Sequence, residues 1–278
     1  MIRAALIQLT SGDDPAENVE KVSAYMRQAA GQGAEFILTP EVTNCVSTSR
    51  TQQNAVLTYE EDDQTLEQMR SLASELGVWV LIGSLGLKTH DSDGRFANRS
   101  FMISPEGNIA ARYDKIHMFD VQVDENESFK ESASYRPGGQ AVVAETSFGK
   151  VGMSVCYDLR FAYLYRDLAK AGAQILTVPA AFSPVTGAAH WETLLRARAI
   201  ETGCFVLAPA QTGQHPAQRG RARKTFGNSL AVAPWGEVIA HGGVEPGVTL
   251  VDIDLRDVED ARNRVPSLNH DRVYLAPK

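Results

Sequence analysis

Gly33-Ala34-Glu35-Phe36-Ile37-Leu38-Thr39-Pro40 and Gly172-Ala173-Gln174-Ile175-Leu176-Thr177-Val178-Pro179 are two copies of one pattern, and their reading decides the fold. Each opens on a Gly-Ala pair, runs through an apolar stretch and stops at a proline. Phe36–Leu38 and Ile175–Val178 offer no polar face, so both read as strands covered on two sides. The match extends backward without a gap, Arg27 and Ala30 corresponding to Arg166 and Ala169. Gly33 closes an amphipathic helix that starts at Asp13-Asp14-Pro15 and covers about Ala16 to Gln32.

Working outward, Ala4–Leu9 reads as an apolar strand before that helix. After a loop to about Glu61 come a helix over Gln64–Leu76, its stop at Gly77, and a strand over Val78–Ile82. A hairpin follows, with strands Ser100–Ile103 and Ile109–Arg112 around Pro105-Glu106-Gly107. The second half echoes these pieces in order. Gly203-Cys204-Phe205-Val206-Leu207 follows Gly77-Val78-Trp79-Val80-Leu81, and Ser229 to Gly236 follows Ser100 to Gly107. Each echo alone is weak, because Gly and Pro recur in any α/β protein; their common order is the signal. It predicts two β-α-β-α-β-β halves related by a pseudo-two-fold. The expected fold is α/β, an α-β-β-α sandwich with two sheets face to face and helices outside. A single doubly wound sheet explains the repeated hairpins less well. No linker rich in Gly, Pro or Ser divides the halves, so residues 1–278 read as one domain ending in a tail over 265–278.

The composition is that of an ordinary globular protein: 44% apolar and 22% charged over 278 residues, with a net charge of −7. That charge argues against a nucleic-acid partner. One basic run, Arg219, Arg221, Arg223 and Lys224, reads as a solvated loop in preference to a ligand-contacting one. No apolar stretch approaches the roughly 20 residues that span a bilayer, and no apolar core follows a basic start at the N-terminus. Cys45, Cys156 and Cys204 cannot all pair and lack metal-site spacing. A cytoplasmic protein with free thiols, no metal and no membrane partner is the expectation.

Reactive side chains collect at the carboxyl ends of strands in α/β layers. Glu41 follows Pro40, Lys115 follows the hairpin, and Cys156 ends a strand over Val151–Val155. A cysteine there, before a helix, can meet N–H groups that favour the thiolate. It can equally be a small buried hydrophobe, which is the better reading of Cys204. Glu41 is otherwise a cap or surface charge, and Lys115 a solvated hairpin end. A thiol hydrolase, however, needs a base and an oxyanion donor. Glu41, Lys115 and the Tyr157 N–H supply both without a histidine. His117 and His190 keep a Cys–His arrangement open, because such pairs assemble only in space. Gly152-Met153-Ser154-Val155-Cys156 lacks the last glycine of a serine-hydrolase elbow, and no dinucleotide or Walker loop occurs.

Three segments carry a family resemblance: Leu38-Thr39-Pro40-Glu41, Tyr113-Asp114-Lys115-Ile116-His117-Met118-Phe119-Asp120, and Ser154-Val155-Cys156-Tyr157-Asp158-Leu159-Arg160-Phe161. In this order and spacing the chain resembles the nitrilase superfamily of carbon–nitrogen hydrolases over nearly its whole length. The resemblance implies the same α-β-β-α sandwich and a Glu–Lys–Cys triad at Glu41, Lys115 and Cys156. It also implies a second glutamate, Glu131, beside the triad lysine. Thr177 to Phe182, Thr186 to Glu192, Leu195 to Glu201, Ala210-Gln211-Thr212-Gly213 and Val265 to His270 are closest to the Nit-type deaminated glutathione amidase branch. This implies cofactor-free hydrolysis of small carboxylate-bearing amides through a thioester, in a homodimer whose tail crosses to the partner. The related ω-amidases, acting on α-ketoglutaramate or succinamate, match less well after Ala199. A nitrilase acting on C≡N and a non-catalytic interaction protein on this fold are the other readings. Arg160 is the expected carboxylate partner or a structural ion pair, with Phe182, Thr186 and His190 lining the opposite wall. Val123 to Ser128 and Pro216 to Lys224 depart from the family pattern where the pocket mouth is expected.

Overall fold

The computed structural model describes residues 1–123, 128–275 and 277. Most of the departure at Val123 to Ser128, including the acids Asp124, Glu125 and Glu127, lies outside the described residues. The first half runs β1 (Ile2–Gln8), α1 (Pro15–Gly31), β2 (Phe36–Leu38), α2 (Arg50–Val56), α3 (Gln64–Leu76), β3 (Trp79–Leu87), β4 (Ala97–Ile103) and β5 (Ile109–Asp114). A ribbon of β6 (Asp120–Gln122) and β7 (Ser128–Lys130) leads to the second half. That half runs β8 (Val142–Thr146), β9 (Gly149–Met153), α4 (Ala162–Lys170), β10 (Ile175–Thr177), α5 (Pro184–Thr202) and β11 (Phe205–Ala208). A second ribbon, β12 (Thr212–Gln214) with β13 (Lys224–Phe226), precedes β14 (Leu230–Val232), β15 (Val238–His241), β16 (Gly247–Ile253) and α6 (Arg256–Arg264).

Local chemistry sets the ends of these elements. Asp14 caps α1, its carboxylate accepting from the Ala16 N–H at 2.9 Å, with Pro15 in the first turn. Gly33 and Gly172, the glycines of the repeated pattern, both have left-handed backbone, φ 85° and 97°. Only glycine adopts that turn cheaply, so each helix is released onto its strand in the same way.

The sheets repeat the same register. Their orders are β16-β1-β2-β3-β4-β5 and β15-β14-β11-β10-β9-β8. β1, β2 and β3 pair in parallel, as do β9, β10 and β11, and antiparallel strands follow in both. Each sheet also gains an antiparallel edge strand that the repeat did not anticipate. β8 pairs with β9, whereas β16 returns from the second half to pair with β1. Alternation divides the first sheet: Ala5, Ile7, Ile37, Val80 and Ile82 pack with Val22, Met26 and Leu72 of the helices. Leu6, Phe36, Leu38 and Leu81 instead join Val151, Met153 and Leu176 of the second sheet. The expected α-β-β-α sandwich is therefore observed. At its centre a Cβ on Gly83 would stand 2.0 Å from the Thr39 carbonyl oxygen and 2.6 Å from Pro179 Cβ. Glycine at 83 lets the ends of the two repeated strands approach one another.

His215 ties the β12–β13 ribbon to the first half. Its Nδ1 lies 2.7 Å from the Ser11 carbonyl oxygen and its Nε2 2.7 Å from Thr225 Oγ1. Nδ1–H donates to the carbonyl and Nε2 accepts from the hydroxyl, which suits the neutral ring. Burial pulls this imidazole down to about 4, aided by Arg223 and opposed by the Ser11 bond. The unfolded ring takes a proton first, so stability is lost as pH falls from about 6.5 towards 4. Over that interval the unfolding free energy of wild type should fall about 3 kcal/mol further than that of His215→Gln, measured by denaturant titration at each pH. Parallel pH profiles would refute the assignment.

Candidate active site

The turn after β2 buries Glu41, helped by Val42 at φ 47°, a costly conformation for a β-branched residue. Glu41 Oε1 accepts from Lys115 Nζ and from Asn98 Nδ2, each at 2.9 Å. Oε2 accepts from the Ala181 N–H at 2.9 Å. Lys115, just past β5 and only 2% exposed, also donates to Glu131 Oε1 at 2.9 Å and Oε2 at 2.8 Å. Glu131 opens the turn after β7 and accepts from the Phe119 N–H at 2.6 Å and from Asn98 Nδ2 at 3.3 Å.

Cys156 begins a 3₁₀ turn over Cys156–Arg160, at φ 50°. β9 stops at Met153, two residues short of the strand expected to reach Val155. The physical reason is that Ser154 Oγ donates to the Thr177 carbonyl at 2.7 Å, while the Val155 N–H is taken by Asp158 Oδ2 at 2.9 Å. Asp158 also accepts from the Tyr113 hydroxyl at 2.7 Å and the His117 N–H at 3.0 Å. A single buried carboxylate thus pins the loop carrying Lys115 against the turn carrying Cys156.

Cys156 lines the same cavity as Glu41 and Lys115, and its thiol feels both charges. Burial and the adjacent Glu41 charge push that thiol well up, against the opposing pull of Lys115. Burial and Glu41 thus favour the thiol form, against the N–H groups that the sequence reading offered as favouring the thiolate. Burial works to raise the Glu41 carboxyl as well, but Lys115, then Arg223 and the thiol, bring it below its usual range. Burial works to lower Lys115, and Glu131, Glu41 and Cys156 more than reverse this. The resting cluster is a carboxylate and an ammonium beside a neutral thiol, poised for proton transfer from sulfur to Glu41.

Glu41, Lys115, Glu131, Cys156, Tyr157, Phe182 and Thr186 line one cavity of about 310 Å³. That is at the lower end of small-molecule sites. Arg160 and His190 do not line it. The Arg160 guanidinium sits 3.3 Å from His190 Nδ1 and over the rings of Tyr157 and Phe182, at 5.8 and 5.6 Å. Those rings, not Arg160, face the cavity, and His190 faces a separate groove beside Trp191 and His241. Spacing along the chain placed Arg160 near Cys156 but not on the same side of the aromatic wall. His117 pairs with Asp158 at 2.6 Å and stacks on Phe161 at 3.6 Å, apart from the cavity lining. Cys204 is core, as expected, and Cys45 reaches the cavity wall.

Asn98, Arg221 and Arg223 are among the lining residues that the sequence reading missed. Asn98 bridges both glutamates; an Asn within an apolar strand was its only signal. Arg221 and Arg223 come from the run read as a solvated loop, and that reading is corrected for these two. Backbone anchors on Asp13 and Thr48 fold the loop inward, which no local pattern announces.

The two-sheet fold and its buried carboxylate–ammonium–thiol cluster agree with what comparison with known proteins finds. The chain belongs to the carbon–nitrogen hydrolase family, whose model matches residues 3–263, and it is an amidase. It is 39% identical over 269 residues to the deaminated glutathione amidase of Yersinia enterocolitica, covering 96% of this chain and 92% of that one. The crystal structure of the Caenorhabditis elegans NitFhit protein superposes with a TM-score of 0.88 at 34% identity. The match covers 98% of this chain and 65% of the NitFhit chain. A glutamate-to-glutamine variant of the amidase from Nesterenkonia sp. AN1 matches with a TM-score of 0.76 at 26% identity, over 95% of each chain. In that structure the acetamide moiety of fluoroacetamide is added covalently at the active-site cysteine.

Proposed function

We propose that this amidase releases ammonia from small carboxylate-bearing amides, as a deaminated glutathione amidase does, with Cys156 as nucleophile. The observation that carries the reading is Cys156 in one cavity with a buried Glu41 that itself accepts from Lys115 at 2.9 Å. Glu41 takes the thiol proton as sulfur attacks the amide carbonyl. Lys115 and the Tyr157 N–H hold the oxyanion, and Glu131 orients Lys115. When the tetrahedral intermediate collapses, the C–N bond breaks and Glu41 returns its proton to the departing nitrogen, giving ammonia and a Cys156 thioester. Water, deprotonated by Glu41, then cleaves the thioester to the acid and restores the thiol. Tyr157, Phe182 and Thr186 shape the acyl pocket.

The test is an ammonia-release screen of deaminated glutathione, α-ketoglutaramate, succinamate, simple amides and nitriles. Deaminated glutathione should give the highest kcat/KM, and Cys156→Ala should be silent on all of them. Preference for α-ketoglutaramate or succinamate would make the protein an ω-amidase; preference for nitriles would displace the amide reading.

The exposed apolar tail residues Val273, Tyr274 and Leu275 support a homodimer in which the tail is covered by a partner. Asp271, paired with Arg166 and Lys170, anchors the start of that tail on α4. Three free cysteines favour a cytoplasmic setting. Among the described residues no helix is long and apolar enough to cross a membrane.

A further inference from the structure

The cavity carries more positive charge than the proposed chemistry uses. Its charged lining residues are Lys115, Lys130, Arg221 and Arg223 against only Glu41 and Glu131. Both carboxylates are already committed to Lys115, at 2.9 and 2.8 Å. A cationic cavity in a chain of net charge −7 raises the local concentration of anions against the overall field of the protein.

The two arginines are held in place by a built loop. The Asp13 carboxylate accepts from the N–H groups of Gln218 at 2.9 Å and Arg219 at 3.2 Å. Thr48 Oγ1 accepts from the Arg221 N–H at 3.1 Å and donates to the Arg221 carbonyl at 2.8 Å. The buried His215 donates its backbone N–H to the Arg223 carbonyl at 2.9 Å. Arg223 Nη2 donates at 2.6 Å to the carbonyl of Ala181, the same residue whose N–H holds Glu41. Its guanidinium lies 5.8 Å from the centre of the Phe129 ring. Arg223 Nε, by contrast, is buried with no hydrogen-bond partner among the described residues. Leaving a charged donor unsatisfied is costly, so the protein alone does not fully satisfy this guanidinium.

We propose that Arg223, with Arg221 beside it, is the receptor for a carboxylate carried by the substrate away from its scissile amide, and that this pair selects acidic over neutral amides. The assignment rests on the amide-hydrolysis reading above and moves substrate recognition from Arg160 to the 216–224 loop. A planar guanidinium lining the cavity suits a carboxylate, and closeness to the Ala181–Glu41 contact places the anion within the same cavity as the thiol.

The test compares kcat/KM for glutaramate and for pentanamide, a neutral amide of equal chain length, in wild type, Arg223→Gln, Arg221→Gln and Arg160→Gln. Wild type should favour glutaramate, less so as salt rises. Arg223→Gln should lower the glutaramate-to-pentanamide ratio by about 10- to 100-fold, chiefly through KM. Arg221→Gln, which leaves the Ala181 contact intact, should lower it about threefold and weaken its salt dependence. If Arg223→Gln fails to fold, Arg221→Gln and salt-dependent inhibition of wild type by glutarate carry the test. A wild type that hydrolyses both amides without preference overturns this assignment alone. So does an unchanged ratio in both loop variants, or a loss confined to Arg160→Gln. A wild type that releases ammonia from no amide overturns the proposed function as well.

Discussion

Cys156→Ala is expected to lose at least about 10⁴-fold in turnover while keeping its fold. No other thiol can take over. Cys45 reaches the same cavity, but burial, with Asp13 and Asp14 nearby, pushes it up to about 12. Cys204 is buried in the core, donating to the Ala173 carbonyl at 3.3 Å. Truncation leaves Glu41 bonded to Lys115, Asn98 and Ala181, so no buried charge is orphaned. The remaining cost is a small void worth about 1 kcal/mol. Ammonia release and thermal unfolding, measured on the same preparations, separate the two effects. A variant within tenfold of wild-type turnover would remove the thioester route.

Lys115→Met should be damaged twice over. Methionine keeps roughly the length of the lysine stem and removes the charge. Glu41 and Glu131 would then face one another, both largely buried, sharing only Asn98 Nδ2 as a common donor. Breaking a buried ion pair from one side costs about 3–5 kcal/mol, and losing an oxyanion donor costs about 10²–10³ in rate. The pH dependence identifies the cause. Without the ammonium, burial and mutual repulsion raise the carboxyls above their unfolded value, so the folded variant binds protons that the unfolded chain has released. Its stability is then greatest below the unfolded value and is lost as pH rises through the raised one. The deficit against wild type should therefore shrink from pH 7 towards pH 5 in denaturant titrations. A deficit constant with pH would mean lost packing rather than unpaired charge.

Much of the architecture was legible because its determinants are local. The Gly-Ala-apolar-Pro pattern needs only neighbouring residues to release a helix, run a covered strand and stop it, so both copies appear where they were read. Helix Gln64–Leu76 was readable from its periodicity and its Gly77 stop. β16 was not anticipated as an edge of the first sheet, since pairing Ile2 with Ile253 depends on the whole chain returning to its start. The end of β9 was misjudged because Ser154 and Asp158 compete with the ladder through contacts that strand propensity does not contain.

The sequence by itself determined the two-half sandwich and the family resemblance, and it singled out Glu41, Lys115 and Cys156 as candidates, because repeat order and motif spacing are properties of the chain alone. Only the tertiary structure decided how those residues are charged and what surrounds them. Glu41 and Lys115 are 74 residues apart and meet at 2.9 Å; Glu41 and the Ala181 amide are 140 apart and meet at the same distance. Protonation depends on such contacts and on the exclusion of water, so the thiol state of Cys156 could not be read from its neighbours. The same holds for the arginines: Arg160 stands close to Cys156 in sequence yet outside its cavity, while Arg223 lines that cavity from a loop 67 positions beyond Cys156.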